Sequence, residues 1–259
     1  MDTERKINPE VGARIMESWQ NPEHLRLRIQ PRRGDVQYPV LSDLNDFIRR
    51  NGSAEKIVVL DFGAGSSPYK MYFPNADYRR ADILATPDLR YRIEPDSRID
   101  EQAEVFDLVL STQVLEHVEN VNAYLEESFR LLKNGGVLLV TTHGIWEEHG
   151  VPYDFQRWTE EGLKRDLKIA GYIDIDIYKI TCGLRGALFL FISNLFSARA
   201  PLTQPSRFIF KAFRTVVSRL FPLAYRWLDK YWPEDKIVKA DNSAGNAAFH
   251  IIIAAIARK

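Results

Sequence analysis

The segment KIVVLDFGAGSSPY, residues 56–69, constrains this chain more than any other. Its IVVL run is short, apolar and rich in β-branched side chains, the pattern of a strand buried on both faces of a parallel sheet. An acid, Asp61, closes the run, and two glycines follow at alternate positions. Gly63 and Gly65 let the backbone turn tightly and approach a ligand closely. The helix expected after the turn would present free N–H groups. A dinucleotide fingerprint needs a third glycine where Pro68 stands, and a P-loop needs a GK[ST] ending that is absent. Asp61 at the strand end suits a cationic or amine-bearing ligand better than a pyrophosphate.

The rest of the chain repeats strand and helix in alternation. ADYRRADI (76–83) reads as a weaker strand ending at Asp82, and LRYRIEPD (89–96) as a third edge. VFDLVLST (105–112) and GVLLVTTH (136–143) are buried strands. Between them Leu125, Phe129 and Leu132 recur at helical spacing, and Gly135-Gly136 is expected to end that helix. A helix at 41–50 has Ser42 as its expected N-cap, and one at 159–171 runs from Thr159 to Gly171. YIDIDIYKI (172–180) alternates like an edge strand, and AAFHIIIAAIA (247–257) reads as a last strand. Such alternation implies an α/β fold, a parallel sheet with helices on both faces. Asp82 lies about 20 residues past the glycine turn, where an acid can take both hydroxyls of a ribose.

At 259 residues, 45% apolar and 27% charged, the chain suits one large domain with an insertion. The expected divisions are a polar extension at 1–40, a core at 41–182, a helical insertion at 183–246 and a final core strand at 247–259. In the extension Pro9, Pro22, Pro31 and Pro39 act as breaks, with a short helix at RIMESW. A net charge of zero argues against a general nucleic-acid binder. The single cysteine, Cys182, excludes an internal disulfide and any CxxC metal site. No secretory h-region opens the sequence, and ALFLFISNLF (187–196) is half the ~20 residues a membrane span needs. The expectation is a cytoplasmic protein.

DFGAGSSPY, the acid in RRADI, FDLVLSTQVLEHV and RLLKNGG before GVLLVTT appear in the order that resembles a class I S-adenosylmethionine-dependent methyltransferase. The resemblance covers roughly 40–180 and the last strand, and leans toward the bacterial type-11-like group acting on small molecules and glycans. It implies a Rossmann-like, seven-stranded, mostly parallel sheet whose last strand is antiparallel. It implies S-adenosyl-L-methionine across the carboxyl ends of the strands. Asp61, Gly63, Ala64 and Gly65 would surround the methionine part, and Asp82 the ribose, with Ile83 beside the adenine. Asp96 and Ser97 would lie near the adenine amine, and Ser111, Thr112 and Gln113 would line the floor near the sulfonium. Where the family's loop often has a third glycine, this chain has Ser67, which is tolerated if the backbone there is not left-handed.

In the family the loop after the fourth long strand roofs the substrate pocket, here GIWEEHGVPYDFQRWT (144–159). A sulfonium methyl is already activated, so alignment matters most and a base helps a hydroxyl acceptor. His149, Asp154 and His117 are the candidate catalytic residues. Histidine titrates near neutrality, and Asp154 can orient it or act as the base itself. His143, Tyr153, Arg157 and Trp158 are candidate substrate contacts: rings to stack on a sugar, and a guanidinium for a carboxylate or phosphate. The same residues can instead serve a well-capped turn: Arg157 pairing with Asp154, Phe155 and Trp158 fastening the loop, Thr159 capping a helix. No spacing matches a strong metal pattern, and no metal ligand is assigned.

Across 183–240 ten Lys and Arg face three acids, a local +7. In RFIFKAFRTVVSRLF, Ile209, Phe213, Val216, Val217 and Leu220 share a helical face, and Pro222 is expected to break the pattern. Such a helix can lie on an anionic membrane through 207–232, or pack on the sheet or in a homodimer. The expected function is O-methylation of a sugar or glycan hydroxyl, with a quinone, lipid or other small metabolite as the alternative acceptor. A non-catalytic binding subunit of the same fold is a third reading.

Overall fold

The computed structural model describes residues 8–150, 152–199, 203–240 and 249–259. Two short helices, α1 (Pro9–Gln20) and α2 (Pro22–Ile29), come first, followed by α3 (Tyr38–Arg50). The prolines expected to break structure here start it instead. Pro9, Pro22 and Pro39 each stand in the first turn of a helix, where a missing N–H costs nothing. Asn8 and Asn21 cap α1 and α2 through their side chains. Because α3 begins at Tyr38, Ser42 lies inside the helix and is not its cap.

The strands are β1 (Val58–Phe62), β2 (Asp77–Asp82), β3 (Tyr91–Arg92), β4 (Phe106–Thr112), β5 (Leu132–His143), β6 (Ile173–Cys182), β7 (Ile237–Lys239) and β8 (His250–Arg258). They form one sheet in the order β3-β2-β1-β4-β5-β8-β6-β7. Pairs from β3 through β5 are parallel, and β8 runs antiparallel to both β5 and β6. The expected seven strands are present, with the antiparallel last strand between the fifth and sixth. The eighth, β7, is a three-residue edge that pairs antiparallel with β6 and belongs to the segment expected to be wholly helical.

Helices α4 (Val121–Leu131) and α5 (Glu160–Ile169) cover one face, with Leu125, Leu131, Leu163 and Leu167 fully buried against Leu60, Val109 and Ile253. On the other face α3 and α6 (Gly183–Ser197) bury Leu44, Phe47 and Phe189 against Val59, Leu110 and Ile251. Gly135-Gly136 does not end α4. The helix stops at Leu131 and the glycines lie inside β5, where the register jumps from Leu132 to Val137. Gly135 takes φ +80°, the conformation that lets three extra residues bulge there.

The last helix, α7 (Gln204–Tyr231), runs 28 residues with Pro222 inside it, so the expected break is absent. It packs through Val217, Phe221, Tyr225 and Leu228 onto Tyr38 and Ile192. Of the apolar face read from the sequence, Val217 packs inward while Ile209, Phe213, Val216 and Leu220 stand exposed. Among the described residues no helix is long and apolar enough to cross a membrane. Residues 241–248, holding the end of the expected insertion and the start of the expected last strand, lie outside the described residues.

Candidate active site

The carboxyl ends of β1, β2, β4 and β5 face one edge, and the predicted residues gather there. After β1 the chain makes turns and a single 3₁₀ turn at Lys70–Tyr72, not the α-helix expected. The glycine turn is tied to β2. Gly63 and Ala64 donate to the Ala81 carbonyl at 2.9 and 3.0 Å, and Gly65 donates to Asp82 at 2.8 Å. The other oxygen of Asp82 accepts from the Leu84 N–H at 3.1 Å. Each carboxylate oxygen retains a lone pair for a hydroxyl, so Asp82 can clasp the turn and a ribose together. Gly63 has φ +84°, and a Cβ there would meet Val114 at 2.5 Å. Val114 itself thus fills the space beside Gly63. Ser67 is left-handed, at φ +50°, so the condition for tolerating a side chain there is not met, and its hydroxyl is buried beside the Asp61 carboxyl. Trp19 of α1 comes within 3.4 Å of where a Gly65 Cβ would stand.

Asp61 is 3% exposed, and burial pushes its carboxyl up to about 7, opposed by a 2.7 Å hydrogen bond from the Tyr78 hydroxyl. Burial also raises Asp82, against the backbone N–H bonds that it accepts. Two desolvated acids at neighbouring strand ends fit a ligand that brings positive charge and hydroxyls, as S-adenosylmethionine does. Ile83 is exposed directly after Asp82. Ser97 is buried with φ +69°, and Asp96 is exposed, accepting from the Arg98 N–H within its own turn. The turn is joined to β2 through the residue after β3, Ile93, whose N–H donates to the Asp82 carbonyl at 2.9 Å.

The floor differs from expectation at Ser111. Its hydroxyl is buried in the core and pairs with the Tyr124 hydroxyl at 2.8 Å, so it does not line the site. Thr112 ends β4, and Gln113 takes φ +56° while its amide donates to the Thr141 hydroxyl at 3.1 Å. A left-handed non-glycine beside a ligand site is strain held by its surroundings.

Beyond Gln113 a 3₁₀ turn, Leu115–His117, carries the acid that the sequence reading passed over. Glu116 is fully buried and burial pushes its carboxyl up to about 7. One oxygen accepts from the Thr142 hydroxyl at 2.8 Å, and the other stands 3.1 Å from His143 Nε2. His143 is buried, stacked on Trp146 with centroids 4.6 Å apart, and burial drives its imidazole down to about 2, so it is neutral. The signal for Glu116 was an acid next to His117 within the apolar VLEHV, just past a buried strand.

The 144–159 loop is pinned to this cluster. His117 Nδ1 lies 2.5 Å from the Tyr153 carbonyl, Phe155 N–H donates to the Glu116 carbonyl, and Trp158 N–H donates to the His143 carbonyl. A carbonyl can only accept, so His117 carries its proton on Nδ1 and leaves Nε2 bare. Burial also lowers His117. His149 lies 5.1 Å, centroid to centroid, from both His117 and His143. Asp154 holds the loop: it accepts from the His149 N–H and takes two hydrogen bonds from the Arg157 guanidinium. The Arg157 guanidinium keeps the Asp154 carboxyl well below the usual range, which removes it as a base. Trp158 is a core residue, 5% exposed, donating from Nε1 to Asp166, and cannot stack on a substrate. Thr159 caps α5 as expected. Tyr153 and Phe155, with ring centroids 5.8 Å apart, remain at the loop surface.

A sheet of this order, with a glycine turn and two buried acids at its carboxyl edge, defines a nucleoside-binding α/β enzyme. The chain belongs to the methyltransferase domain family, whose model matches residues 34–165, just over half of it. The site fits S-adenosylmethionine, the cofactor that family uses. The mitochondrial ubiquinone biosynthesis O-methyltransferase of Rattus norvegicus is 36% identical over 66 residues, 25% of this chain and 19% of that protein. The ubiquinone biosynthesis O-methyltransferase of Chelativorans sp. (strain BNC1) is 36% identical over 52 residues, 20% of this chain and 21% of that protein. These matches span about a fifth of the curated relatives' length. Among solved structures, a Haloferax volcanii methyltransferase in complex with the Trm112 activator covers 98% of this chain and 99% of its own, at 12% identity and TM-score 0.56. A Thermotoga maritima methyltransferase covers 96% and 99%, at 13% identity and TM-score 0.52. At such identities these two show the fold.

Proposed function

We propose that the enzyme methylates a hydroxyl oxygen of a sugar or glycan, with His117 as the general base. The observation that carries this reading is the bare His117 Nε2, fixed by the Tyr153 carbonyl next to the cofactor floor. S-adenosylmethionine supplies an electrophilic methyl on its sulfonium. Asp61 would receive the cofactor's amino group and Asp82 its ribose hydroxyls, with Thr112 and Gln113 at the end of β4 beside them. The acceptor oxygen attacks as its proton passes to His117 Nε2. The C–S bond breaks and the O–C bond forms, leaving a methyl ether and S-adenosylhomocysteine. Tyr153 and Phe155 offer ring faces to the acceptor. A groove of about 410 Å³, walled by Leu27, Val36, Glu147 and Phe196, leads to the loop segment whose Glu147 carbonyl lies 3.3 Å from His149 Nδ1. The test is S-adenosylhomocysteine release with a panel of glycan and sugar-nucleotide acceptors. His117→Ala is expected to lower kcat by about 10²–10⁴ while binding S-adenosylhomocysteine normally. Turnover unaffected by that change would remove His117 from the reaction.

A second reading, an acceptor dissolved in or anchored to a membrane, is favoured by α7. Ile209, Phe213, Val216, Leu220, Leu223 and Trp227 form one exposed stripe at alternating steps of four and three. Arg219, Arg226 and Lys230 run along its side. Two copies of a helix with six cations and one acid repel each other, whereas an anionic bilayer matches both stripe and charge. Such an acceptor includes the quinone class. Co-sedimentation with phosphatidylglycerol vesicles, absent with phosphatidylcholine and lost in Leu220→Asp, is the expected result. Equal recovery with both lipids or neither would leave the soluble glycan reading alone.

A further inference from the structure

Glu116, His143 and His149 each bring one ligating atom to within 4.8 Å of the other two. They come from the turn after β4, the last position of β5 and the loop beyond it. Glu116 is wholly buried, and its Oε1 lies 3.1 Å from His143 Nε2 without forming a well-aligned hydrogen bond. His143, 5% exposed, has its Nδ1 buried without a hydrogen-bond partner. A carboxylate and an imidazole that meet in a dry interior without an aligned hydrogen bond are costly, and an ion bridging them would satisfy both. His149 Nδ1 lies 3.3 Å from Asp154 Oδ2, which leaves Nε2 to ligate.

We propose that Glu116, His143 and His149 bind a divalent transition-metal ion of the zinc type. One carboxylate with two imidazoles is a set that holds such an ion with positions left open, whereas calcium and magnesium call for oxygen ligands. Methyl transfer moves no electrons between redox states, so a redox-inert ion suffices. Ligands about 2.1 Å from a common ion stand at most about 4.2 Å apart, so the trio closes by several tenths of an ångström. His149 supplies that movement, being on a loop and 31% exposed. The outer contacts are in place: Thr142 bonds Glu116, and Asp154, itself held by Arg157, orients His149. His117 Nε2 stands 3.9 Å from Glu116 Oε1, beside the open side of the trio. An acceptor hydroxyl bound to the ion gives up its proton more readily, and His117 takes it. This role rests on the hydroxyl-acceptor reading; the site itself does not.

The test is titration of chelator-stripped protein with Zn²⁺ by calorimetry and with Co²⁺ by visible absorption. One ion per chain is expected, with affinity lower by about 100-fold or more in Glu116→Gln and in His149→Ala. Both variants should bind S-adenosylhomocysteine within about twofold of wild type, which shows the fold and cofactor site intact. Folded wild-type protein that takes up neither ion overturns the inference, as does an affinity indifferent to both substitutions. Metal binding without methyl transfer to any hydroxyl acceptor upholds the metal site and overturns the acceptor reading.

Discussion

Asp154 and Arg157 face each other through two parallel hydrogen bonds, 2.5 and 2.6 Å long. This fork answers what the residue pattern 149–159 is for. The guanidinium holds the Asp154 carboxyl ionised, so Asp154 is no general base. The two residues position the histidines instead, since Asp154 also accepts from the His149 N–H and Arg157 donates to the Glu147 carbonyl.

Asp154→Asn therefore weakens the loop and not the cofactor site. A charge-assisted pair of hydrogen bonds at a mostly buried acid is worth about 1.5–3 kcal/mol. The lowered carboxyl makes this contribution fully present above its ordinary value of 3.8, and it fades only in stronger acid. Denaturant melts near neutral pH should show the loss, and acceptor KM should rise with S-adenosylhomocysteine affinity unchanged. A variant as stable as wild type would mean that the fork contributes nothing.

Asp61 has the opposite sign. Its folded value of about 7 lies above 3.8, so the folded chain keeps a proton that the unfolded chain has released. Stability from this group is whole below 3.8 and is lost as pH rises through about 7. Asp61→Asn removes that loss, so apo-protein melts should show the variant gaining on wild type, by a few kcal/mol at most, from about pH 4 to about pH 8. The cofactor's amino group needs the ionised acid, so wild-type affinity for S-adenosylhomocysteine should rise over the upper half of that window and stay flat in the variant.

Gly63→Ala tests whether the glycine serves packing. The added methyl would overlap Val114 at 2.5 and 2.7 Å and adopt φ +84°. Overlap and left-handed strain together cost about 2–4 kcal/mol. Adding Val114→Ala should recover about 1 kcal/mol or more in a double-mutant cycle. Strict additivity would assign the whole cost to the backbone angle.

The parts legible from sequence were those written in local pattern. β1, β4 and the end of β5 are continuous apolar runs, and Asp61, Gly63, Gly65 and Asp82 follow from strand ends and glycine spacing. Glu116 was hidden because its partners, Thr142 and His143, are 26 and 27 positions away and meet it only through the parallel pairing of β4 with β5. Trp158 reads as a substrate ring until Asp166, one helical stretch later, claims its N–H. Which face of α7 turns inward stayed open for a similar reason. Its exposed stripe is the more regular one, and only the packing of Phe221 and Tyr225 on Tyr38 shows which side turns inward.

That packing is anchored by Arg185, buried completely beneath α7. Its Nε and Nη2 donate to Asp43 of α3 at 2.6 and 2.9 Å, and Nη1 to Asp229 of α7 at 2.9 Å. Burial pushes Asp43 up and Arg185 pulls it back. Arg185→Met leaves Asp43 buried without its counter-charge, which should cost about 3–5 kcal/mol. Asp229 keeps Arg33, Lys236 and the Tyr38 hydroxyl, so the damage centres on α3 and α6. Arg185→Met combined with Asp43→Leu should be more stable than Arg185→Met alone, because no unpaired charge remains. Urea unfolding of the three proteins distinguishes the cases: a double variant weaker than the single one would show that the Asp43 carboxylate is stabilised mainly by Thr181, which donates to it at 2.9 Å.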